Sequence, residues 1–328
     1  MKKLLQRMFA HERLSYQEAK QTLVEIAEGK YNQSQVASFL TVFQMRSIAI
    51  EELRGFRDAL LDLCLKIDLS DFNTIDLCGT GGDGKDTFNI STLSSFIVAG
   101  AGVKVAKHGN YGVSSSCGSS NVLEHLGYEF TNDPDKLKRQ IDQAGICFLH
   151  APLFHPAMKN VAPIRRELQL KTFFNMLGPM VNPSFPQNQL VGVFSLELAR
   201  LYSYMYQQTD KNYNIIHALD GYDEISLTGD FKVISNHSEE IRTPDYFGFE
   251  RITQESIYGG KDVPEAAEIF TNILSGKSTE AQRNVVFANA SMAISCATSL
   301  SLEDSLVKAQ DSLNSGAALE SFKKLIAA

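Results

Sequence analysis

Apolar residues recur at helical spacing along the first seventy positions of the chain. Ser15 and Glu18 match the capping-box pattern, in which the two side chains satisfy exposed backbone N–H groups at a helix start. Three apolar stripes follow, with charged residues between them. They consist of Ala19, Leu23, Ile26 and Ala27; Val36, Phe39, Leu40 and Phe43; and Leu53, Phe56, Leu60 and Leu63. We therefore predict a small all-helical domain over residues 1–70.

From Thr74 onward, short apolar runs alternate with helical patterns, which is typical of an α/β domain with a mostly parallel central sheet. The predicted strands are Ile75–Leu77, Val103–Ala106, Ile146–Leu149, Leu190–Phe194 and Ile215–Leu219. The predicted helices between them are Leu93–Ala101, Ser119–Leu126, Pro134–Ala144 and Leu196–Gln207, and the chain beyond Val263 reads as helical. This α/β domain is expected to span residues 71–328.

A proline-rich segment interrupts the α/β pattern. Residues 175–186 contain Gly178 and three prolines, and we predict a bent connection between the halves of the α/β domain. Residues 165–185 are also a candidate segment for returning to the helical domain.

Composition narrows the class of protein. The chain has 328 residues, 44% of them hydrophobic, and a formal net charge of -7, which argues against non-specific nucleic-acid binding. Its five cysteines are widely spaced and form no C-x-x-C pair, so we expect reduced packing residues in a cytoplasmic protein. No stretch approaches the roughly 18 apolar residues of a membrane span, and the first ten residues lack a signal-peptide core.

The glycine-rich segment 79–86 matches two nucleotide motifs incompletely. Gly79-x-Gly81-x-x-Gly84 fits the dinucleotide fingerprint, but the acidic ribose partner due about 20 residues later is missing, and lysines stand near that position. Gly79-x-x-x-x-Gly84-Lys85 also begins a P-loop, but Asp86 replaces the Ser or Thr whose hydroxyl would bind Mg²⁺. Both a nicotinamide site and a nucleoside-triphosphate site are therefore disfavoured.

Asp83 lies inside this turn, and a bare carboxylate repels phosphate. Its presence there therefore needs a separate explanation. Asp83 could bind ribose hydroxyls or face a metal-complexed pyrophosphate. Phosphate-friendly groups also follow at Asn89–Thr92, Lys107–Asn110 and Ser114–Ser119, each at a predicted strand-to-helix turn or helix start. Open α/β sheets bind ligands at the carboxyl edge of their strands, so these turns together predict an anion site.

In order along the chain, these residues resemble the anthranilate phosphoribosyltransferases. The matching motifs are Gly79-Thr-Gly-Gly-Asp83, Thr87, Asn89-Ile-Ser-Thr92, Lys107-His-Gly-Asn110, His155-Pro-Ala-Met-Lys159, Asn175-Met-Leu-Gly-Pro179 and Asp223-Glu224. The resemblance implies a nucleoside phosphorylase/phosphoribosyltransferase-like fold, a homodimer, and an active site in the cleft between a helical and an α/β domain. It also implies transfer of the phosphoribosyl group of phosphoribosyl pyrophosphate to anthranilate, in tryptophan biosynthesis.

The resemblance assigns ligands to individual positions of this sequence. Phosphoribosyl pyrophosphate would be held by Gly79, Gly82, Asp83, Thr87, Asn89, Ile90, Ser91, Thr92, Lys107, His108, Gly109, Asn110, Tyr111, Gly112, Val113, Ser114, Ser115 and Ser119. Anthranilate would meet Gly79, Asn110 and Arg165, whose planar guanidinium suits a carboxylate. Two Mg²⁺ ions per monomer are expected, one at Ser91 and one at Asp223 and Glu224.

The implied mechanism is electrostatic. Charge develops on the departing pyrophosphate, so Mg²⁺, Lys107 and helix-start N–H groups are expected to stabilise it. No nucleophile or general base is assigned.

Several positions depart from the common family pattern. Tyr111 stands where an arginine is common, and Asn121 where an aspartate is common. Cys117 replaces a serine, and Gln169 and Lys171 replace a glycine and an arginine. None of these changes removes a predicted ligand.

Two other functions stay open at this point. A pyrimidine nucleoside phosphorylase would share the fold, but its Ser-Gly-Arg motif is missing. A nucleic-acid-binding relative of the fold should be basic, whereas this chain is acidic.

Overall fold

The computed structural model describes residues 1–112 and 117–328. The chain divides into two compact units, each built from two stretches of sequence. A helical unit contains residues 1–66 and 151–183, and an α/β unit contains residues 67–150 and 184–328. The predicted fold class, a helical domain followed by a larger α/β domain, is confirmed.

The helices of the described residues occupy both units. In chain order they are α1 (Lys2–Phe9), α2 (Tyr16–Ala27), α3 (Gln33–Met45), α4 (Ile50–Leu63), α5 (Ile90–Gly100), α6 (Ser119–His125), α7 (Pro134–Ala144), α8 (Ala151–Phe154), α9 (Ala162–Leu168), α10 (Leu196–Tyr206), α11 (Val263–Leu274), α12 (Glu280–Ala297), α13 (Leu302–Asn314) and α14 (Ala317–Ala327). Short 3-10 turns lie at Ser70–Phe72, Pro156–Asn160, Phe173–Met176, Gly178–Met180, Pro244–Phe247 and Gln254–Ile257.

Local sequence explains the helices of the helical unit. Ser15 and Glu18 form the predicted capping box at the start of α2, and Asn32 and Gln35 form another at the start of α3. Helix α4 packs closely on α2 because Gly55 lies against the backbone of Tyr16, where a side chain would overlap it. Helix α1 was not predicted. It is eight residues long, and Leu5 and Met8 are its buried residues, too few to form an apolar stripe in the sequence.

An aromatic cluster forms the core of the helical unit. Phe39, Phe43 and Phe56 from α3 and α4 surround Phe173, which belongs to the later stretch of sequence. The rings of Phe56 and Phe173 stack with their centroids 4.3 Å apart. Segment 175–186 is bent as predicted, but its residues up to 183 belong to the helical unit and not to the α/β domain.

The α/β unit is built on one sheet of seven strands among the described residues. The strands are β1 (Ile75–Gly79), β2 (Val105–Gly109), β3 (Ile146–His150), β4 (Asn188–Gly192), β5 (Asn212–Ala218), β6 (Phe231–Ser235) and β7 (Glu239–Arg242). Their order in the sheet is β3-β2-β1-β4-β5-β6-β7. Strands β1 to β5 are parallel, β6 is antiparallel to β5, and β7 is antiparallel to β6. The five predicted strands are confirmed within a few residues, whereas β6 and β7 were missed.

The main hydrophobic core lies between this sheet and its helices. Helix α5 is buried along almost its whole length, and it packs against the sheet and against α12 and α14. Parallel strands buried on both faces explain why their sequences read as continuous apolar runs. The helical character predicted beyond Val263 is confirmed by α11 to α14. Among residues 1–112 and 117–328, every helix is too short or too polar to cross a bilayer.

Candidate active site

The carboxyl ends of β1, β2 and β4 bring most of the predicted ligand residues to one edge of the sheet. β1 ends at Gly79, β2 at Gly109 and β4 at Gly192. Side chains at Gly79 and Gly192 would overlap Asp223, the first with its carboxylate and the second with its carbonyl oxygen. Glycine is therefore required at both strand ends, because Asp223 passes directly against them.

The glycine-rich turn leaves β1 in a conformation that favours glycine. Gly81, Gly82 and Gly84 have φ angles of +63°, +77° and +73°. Asp83 Oδ1 accepts a hydrogen bond from the backbone N–H group of Lys85 at 3.0 Å, which keeps this acid on the turn. The ammonium group of Lys85 lies 4.5 Å from the centre of the Tyr222 ring. Lys85, at the end of the turn, therefore contacts Tyr222, the residue before Asp223.

Asp223 and Glu224 each hold one of the predicted phosphate-binding segments. Asp223 Oδ2 accepts a hydrogen bond from the Gly81 N–H group at 2.6 Å, and Glu224 Oε1 accepts one from the Ser91 N–H group at 2.8 Å. A small cavity is lined by both acids and by Gly79, Ser91 and Gly192. The structure therefore brings the acid pair, the glycine turn and the start of α5 together.

Burial raises the pKa values of the acids at this site. Burial and then the charge of Asp83 raise the pKa of Asp223 to about 7. Burial and then the charge of Asp223 raise the pKa of Glu224 well above its usual range, and burial also raises the pKa of Asp83. Like charges in a desolvated pocket are unfavourable, and a cation bound beside them would relieve that cost.

The residues present fit Mg²⁺ as a partly hydrated ion. Asp223 and Glu224 offer hard carboxylate oxygens, which Mg²⁺ prefers. Within the described stretches, no group of three or more His, Cys, Asp or Glu side chains is arranged to hold a metal. Mg²⁺ commonly uses only one or two carboxylates and takes its remaining ligands from water and substrate phosphates.

Asn289 supports the acid pair and was missed from the sequence. Its Oδ1 accepts a hydrogen bond from the Ile225 N–H group at 3.1 Å, and its Nδ2 donates to the carbonyl oxygens of Ile225 and Val285, both at 2.9 Å. Asn289 is buried in α12, so it fixes the backbone directly after Glu224. In the sequence, Asn289 could have been noticed as an amide side chain within the otherwise apolar run 285–290.

The predicted anion-binding segment Asn89–Thr92 forms the start of α5. Asn89 is the N-cap, but its side chain makes no capping bond and instead donates to the Cys117 carbonyl at 3.3 Å. Thr87 pairs with Tyr258 in an antiparallel bridge, which fixes the approach to the helix. Ile90 and Thr92 are buried. The N–H groups of Ile90 and Ser91 donate to the Phe88 carbonyl oxygen and to Glu224, so the role of this helix start in anion binding stays a prediction.

Lys107 and His108 lie inside the sheet layer and not on the surface. Both are buried, and Lys107 Nζ donates to the Leu77 carbonyl oxygen at 2.6 Å. The His108 N–H group donates to Asp76 Oδ1 at 3.0 Å. Asp76, buried on β1, was also missed from the sequence. The charge of Lys107 lies close enough to Glu224 to oppose part of the rise in its pKa.

The turn after β2 folds back onto the start of α6. Ser119 Oγ donates to the Asn110 carbonyl oxygen at 3.3 Å, and the Tyr111 N–H group donates to Asn110 Oδ1 at 2.8 Å. The turn therefore holds Asn110, Tyr111 and Ser119 near the end of β2, with Gly109 and Gly112 beside them. The predicted ligands Val113, Ser114 and Ser115 lie outside the described residues.

Arg165, the predicted anthranilate ligand, lies on α9 of the helical unit. Its Nη2 donates to Asn175 Oδ1 at 3.1 Å, and its guanidinium lies 5.3 Å from the centre of the Phe174 ring. The Nε atom is buried and has no hydrogen-bond partner among the described residues. Burial lowers the pKa of Arg165. A desolvated guanidinium with an unused donor is suited to receiving a carboxylate.

Asn175 orients Arg165 through a shared oxygen. Its Oδ1 also accepts a hydrogen bond from the Thr172 N–H group at 3.1 Å, so the 3-10 turn Phe173–Met176 fixes the guanidinium. Asn175 therefore sets the orientation of Arg165, although the two residues are ten positions apart.

Comparison with known proteins identifies the family. Residues 71–319 match the model for the glycosyl transferase family a/b domain, and residues 2–64 match its helical bundle domain. A protein from Christiangramia forsetii called anthranilate phosphoribosyltransferase is 65% identical over 325 residues, covering 99% of this chain and 98% of that protein. The chain belongs to the anthranilate phosphoribosyltransferase family. The resemblance predicted from the motifs is thereby confirmed.

Solved structures of this family agree with the fold. Anthranilate phosphoribosyltransferase from Thermus thermophilus is 30% identical, with a TM-score of 0.91 and 98% of each chain covered. The Saccharomyces cerevisiae enzyme in complex with PRPP and Mg is 26% identical, with a TM-score of 0.91, covering 98% of this chain and 96% of that chain. The ligand positions predicted for individual residues of this family member stay predictions.

Proposed function

We propose that this chain transfers the phosphoribosyl group of phosphoribosyl pyrophosphate to the amino nitrogen of anthranilate, and so releases pyrophosphate. The main support is the arrangement of Asp223 and Glu224, whose carboxylates fasten the glycine turn and the start of α5 around one cavity. Membership of the anthranilate phosphoribosyltransferase family is the second support. This reaction belongs to tryptophan biosynthesis.

The pyrophosphate end of the substrate would lie at the carboxyl edge of β1 and β2. The glycine turn and the start of α5 both lie at this edge, where the Gly81 and Ser91 N–H groups donate to Asp223 and Glu224. The side chains of Thr87 and Asn89 and the turn Lys107–Gly112 supply further polar groups. Val113, Ser114, Ser115 and Ser119 complete the proposed set.

The proposed enzyme uses Mg²⁺, with two ions per monomer. Asp223 and Glu224 would hold one ion and Ser91 would contribute to the other. When bound, Mg²⁺ neutralises charge on the pyrophosphate as it departs. The raised pKa values of the acids fit this role, because a nearby cation favours the ionised carboxylates.

Anthranilate would be recognised through its carboxylate by Arg165. Asn175 and Phe174 hold the guanidinium in place, which lowers the conformational entropy that binding must remove. Gly79 and Asn110 are the other proposed contacts with anthranilate.

The chemistry requires positioning and charge stabilisation more than proton transfer. The bond from the anomeric carbon to pyrophosphate breaks, the bond to the arylamine nitrogen forms, and the nitrogen then loses a proton to solvent. Holding the amine of anthranilate next to the anomeric carbon of phosphoribosyl pyrophosphate raises the effective concentration of the amine at the reacting carbon. Buried donors around the departing pyrophosphate stabilise its charge in a site of low dielectric constant. No side chain is proposed as a nucleophile or general base.

We also propose that the protein is a homodimer in the cytoplasm. The helical unit exposes large apolar side chains, with Phe9 at 60% and Met45 at 80% of full accessibility, and a second copy could cover them. The five cysteines are free, which fits a reducing compartment. Light scattering on the purified protein tests the dimer, and a monomer at micromolar concentration would reject it.

The decisive experiment mixes purified protein with anthranilate, phosphoribosyl pyrophosphate and Mg²⁺. We expect anthranilate fluorescence to fall in proportion to the pyrophosphate released. A parallel reaction with pyrimidine nucleosides and inorganic phosphate tests the nucleoside phosphorylase alternative. Phosphorolysis without any loss of anthranilate at any Mg²⁺ concentration would reject the proposed function.

A further inference from the structure

One buried side chain on α12 pairs with both backbone groups of Ile225, the residue after the acid pair. Asn289 Oδ1 accepts the hydrogen bond of the Ile225 N–H group, and Asn289 Nδ2 donates to the Ile225 carbonyl oxygen. A strand residue exchanges the same two bonds with the residue opposite it in an antiparallel sheet. Residues 219–230 lie between β5 and β6, so an amide side chain takes the place of a strand partner there.

The backbone before the acid pair is fixed by the sheet itself. The Ala218 N–H group, at the end of β5, donates to the Tyr222 carbonyl oxygen at 3.1 Å. The carbonyl oxygen of Asp223 lies against Gly192, at the end of β4. Asp223 is thus held by two strand ends, whereas the backbone that follows Glu224 is held by α12.

Helix α12 also packs against α5, whose start bonds to Glu224. Ser94 Oγ on α5 donates to the Val286 carbonyl oxygen at 3.4 Å, and Asn289 lies three residues beyond Val286. Glu224 Oε1 accepts the hydrogen bond of the Ser91 N–H group. One helix therefore sets the positions of Glu224 and Ser91 relative to each other.

The amide of Asn289 is fully engaged by the protein. Its second N–H group donates to the Val285 carbonyl oxygen within α12, although the side chain lines the same cavity as the acid pair. Both amide hydrogens and one oxygen lone pair are therefore in use. Asn289 is suited to act through Glu224 and not to bind an ion or a substrate itself.

We propose that Asn289 is a positioning residue for the Mg²⁺ held by Asp223 and Glu224. By fixing the Ile225 backbone, it sets where the Glu224 carboxylate lies, and a carboxylate already in place loses less freedom when it takes up an ion. Removing a group that supports a metal ligand commonly weakens metal affinity about tenfold to a hundredfold. This inference rests on the proposed function and adds a residue that sets its metal affinity.

Two variants cut the connection to Ile225 and differ in their effect on α12. Asn289→Ala removes all three hydrogen bonds of the amide. Asn289→Ser carries a hydroxyl that can donate to the Val285 carbonyl oxygen four residues earlier, but it is too short to pair with both backbone groups of Ile225. We expect each variant to raise the Mg²⁺ dissociation constant about tenfold. Without substrates, this constant follows from the rise in Tm above each variant's own metal-free value as Mg²⁺ is added.

Asn214→Ala is the matched control. Asn214 is also buried, and its Nδ2 donates to the Met292 carbonyl oxygen on α12 at 3.2 Å, so the variant removes an amide contact with the same helix. Its metal-free Tm should fall, but its Mg²⁺ dissociation constant should stay within about twofold of the wild-type value. The Mg²⁺ concentration for half-maximal turnover should rise in the Asn289 variants and not in this control.

The wild-type chain offers a test without any substitution. If the held state of Ile225 favours Mg²⁺ binding, Mg²⁺ favours that state by the same factor, because coupling between two equilibria is reciprocal. Saturating Mg²⁺ should therefore slow hydrogen exchange of the Ile225 amide about tenfold. Mass spectrometry of peptides that span residues 222–227 measures this rate.

The outcomes separate this inference from the proposed function. Loss of anthranilate in the presence of wild-type protein tests the function alone. With an active wild type, an unchanged Mg²⁺ dissociation constant in the Asn289 variants would overturn the positioning role. An equal rise in Asn214→Ala would also overturn it, by showing a general structural effect. If neither Asn289 variant folds, the wild-type exchange rate decides, and a rate at Ile225 that is the same with and without Mg²⁺ would overturn the inference.

Discussion

The backbone N–H group of Gly81 donates a hydrogen bond of 2.6 Å to Asp223 Oδ2, although 142 positions separate the two residues. The glycine turn and the acid pair therefore support each other. Glu224 makes the equivalent contact with Ser91 at the start of α5. A change at either acid should disturb the segments proposed to bind phosphate as well as any bound metal.

The first prediction concerns Mg²⁺. Replacing both Asp223 and Glu224 with Asn and Gln keeps their shape but removes their charge, so we expect the Mg²⁺ concentration for half-maximal activity to rise about tenfold or more. Turnover measured against Mg²⁺ at saturating substrates gives this value. Asp230→Asn, at an acid that pairs with Arg251 near the surface, is the control. Superimposable Mg²⁺ curves for the double variant and the control would reject the metal assignment.

The second prediction concerns stability in metal-free buffer. The pKa of Asp223 is about 7 in the folded protein, whereas an unfolded Asp titrates at about 3.9. Between these values the folded chain binds more protons than the unfolded chain, so the free energy of unfolding falls as the pH rises from about 4 to about 7. Asp223→Asn cannot ionise and should escape this loss. With EDTA present, its Tm should exceed that of the wild type at about pH 8 and equal it at about pH 4.

A Tm difference between Asp223→Asn and the wild type that is larger at about pH 4 than at about pH 8 would contradict the predicted direction of the pH dependence. Asp230→Asn again serves as the control, because Asp230 is more exposed and pairs with Arg251. Adding Mg²⁺ at about pH 8 should raise the Tm of the wild type more than that of Asp223→Asn.

The third prediction concerns Arg165. Arg165→Ala should raise the KM for anthranilate by more than about tenfold and leave the KM for phosphoribosyl pyrophosphate within about twofold, since a charge-assisted pair contributes about 1.5 to 3 kcal/mol. Arg165→Lys should recover only part of the loss, because an ammonium cannot make the planar two-pronged contact. Arg166→Ala, at the exposed neighbouring arginine, is the matched control. Equal effects on the two KM values would reject the role of Arg165.

The fourth prediction concerns a buried ion pair in the helical unit. Glu52 is fully buried, binds Arg46 through both carboxylate oxygens, and accepts hydrogen bonds from the Leu14 and Ala49 N–H groups. Glu52→Ala should lower the free energy of unfolding by about 3 to 5 kcal/mol, because it leaves the largely buried guanidinium of Arg46 and two backbone donors without their acceptor. Chemical denaturation measures the loss. Glu51→Ala removes a more exposed pair with Arg54 and should cost less than about 1 kcal/mol.

Local signals in the sequence were sufficient where the structure depends on neighbouring residues. The capping box at Ser15 and the helix Pro134–Ala144 were predicted with their observed positions. The start of β2 was predicted two residues early because Gly102 continues the turn that ends α5. The Val103 N–H group is used there, donating to the Val98 carbonyl oxygen.

Contacts between distant positions could not be read from the sequence. Helix α5 begins at Ile90 and not at Leu93, and its early N–H group at Ser91 is satisfied by Glu224. Asn188 can begin β4 because its amide bonds with Asn73, just before β1, and with Asn212 on β5. Asp76 and Asn289 act on backbone groups brought to them only by the fold. The candidate site was therefore predictable as a set of turns, but its supporting residues were not.

The position of Phe173 in the chain also bears on how the protein is made. The ring that stacks on Phe56 belongs to a stretch that follows β1, β2 and β3 in the sequence. During synthesis, α1 to α4 leave the ribosome well before Phe173 exists, so the helical core stays open while the first parallel strands emerge. The amino-terminal segment alone is then an incomplete folding unit that exposes aromatic surface to chaperones and to other nascent chains.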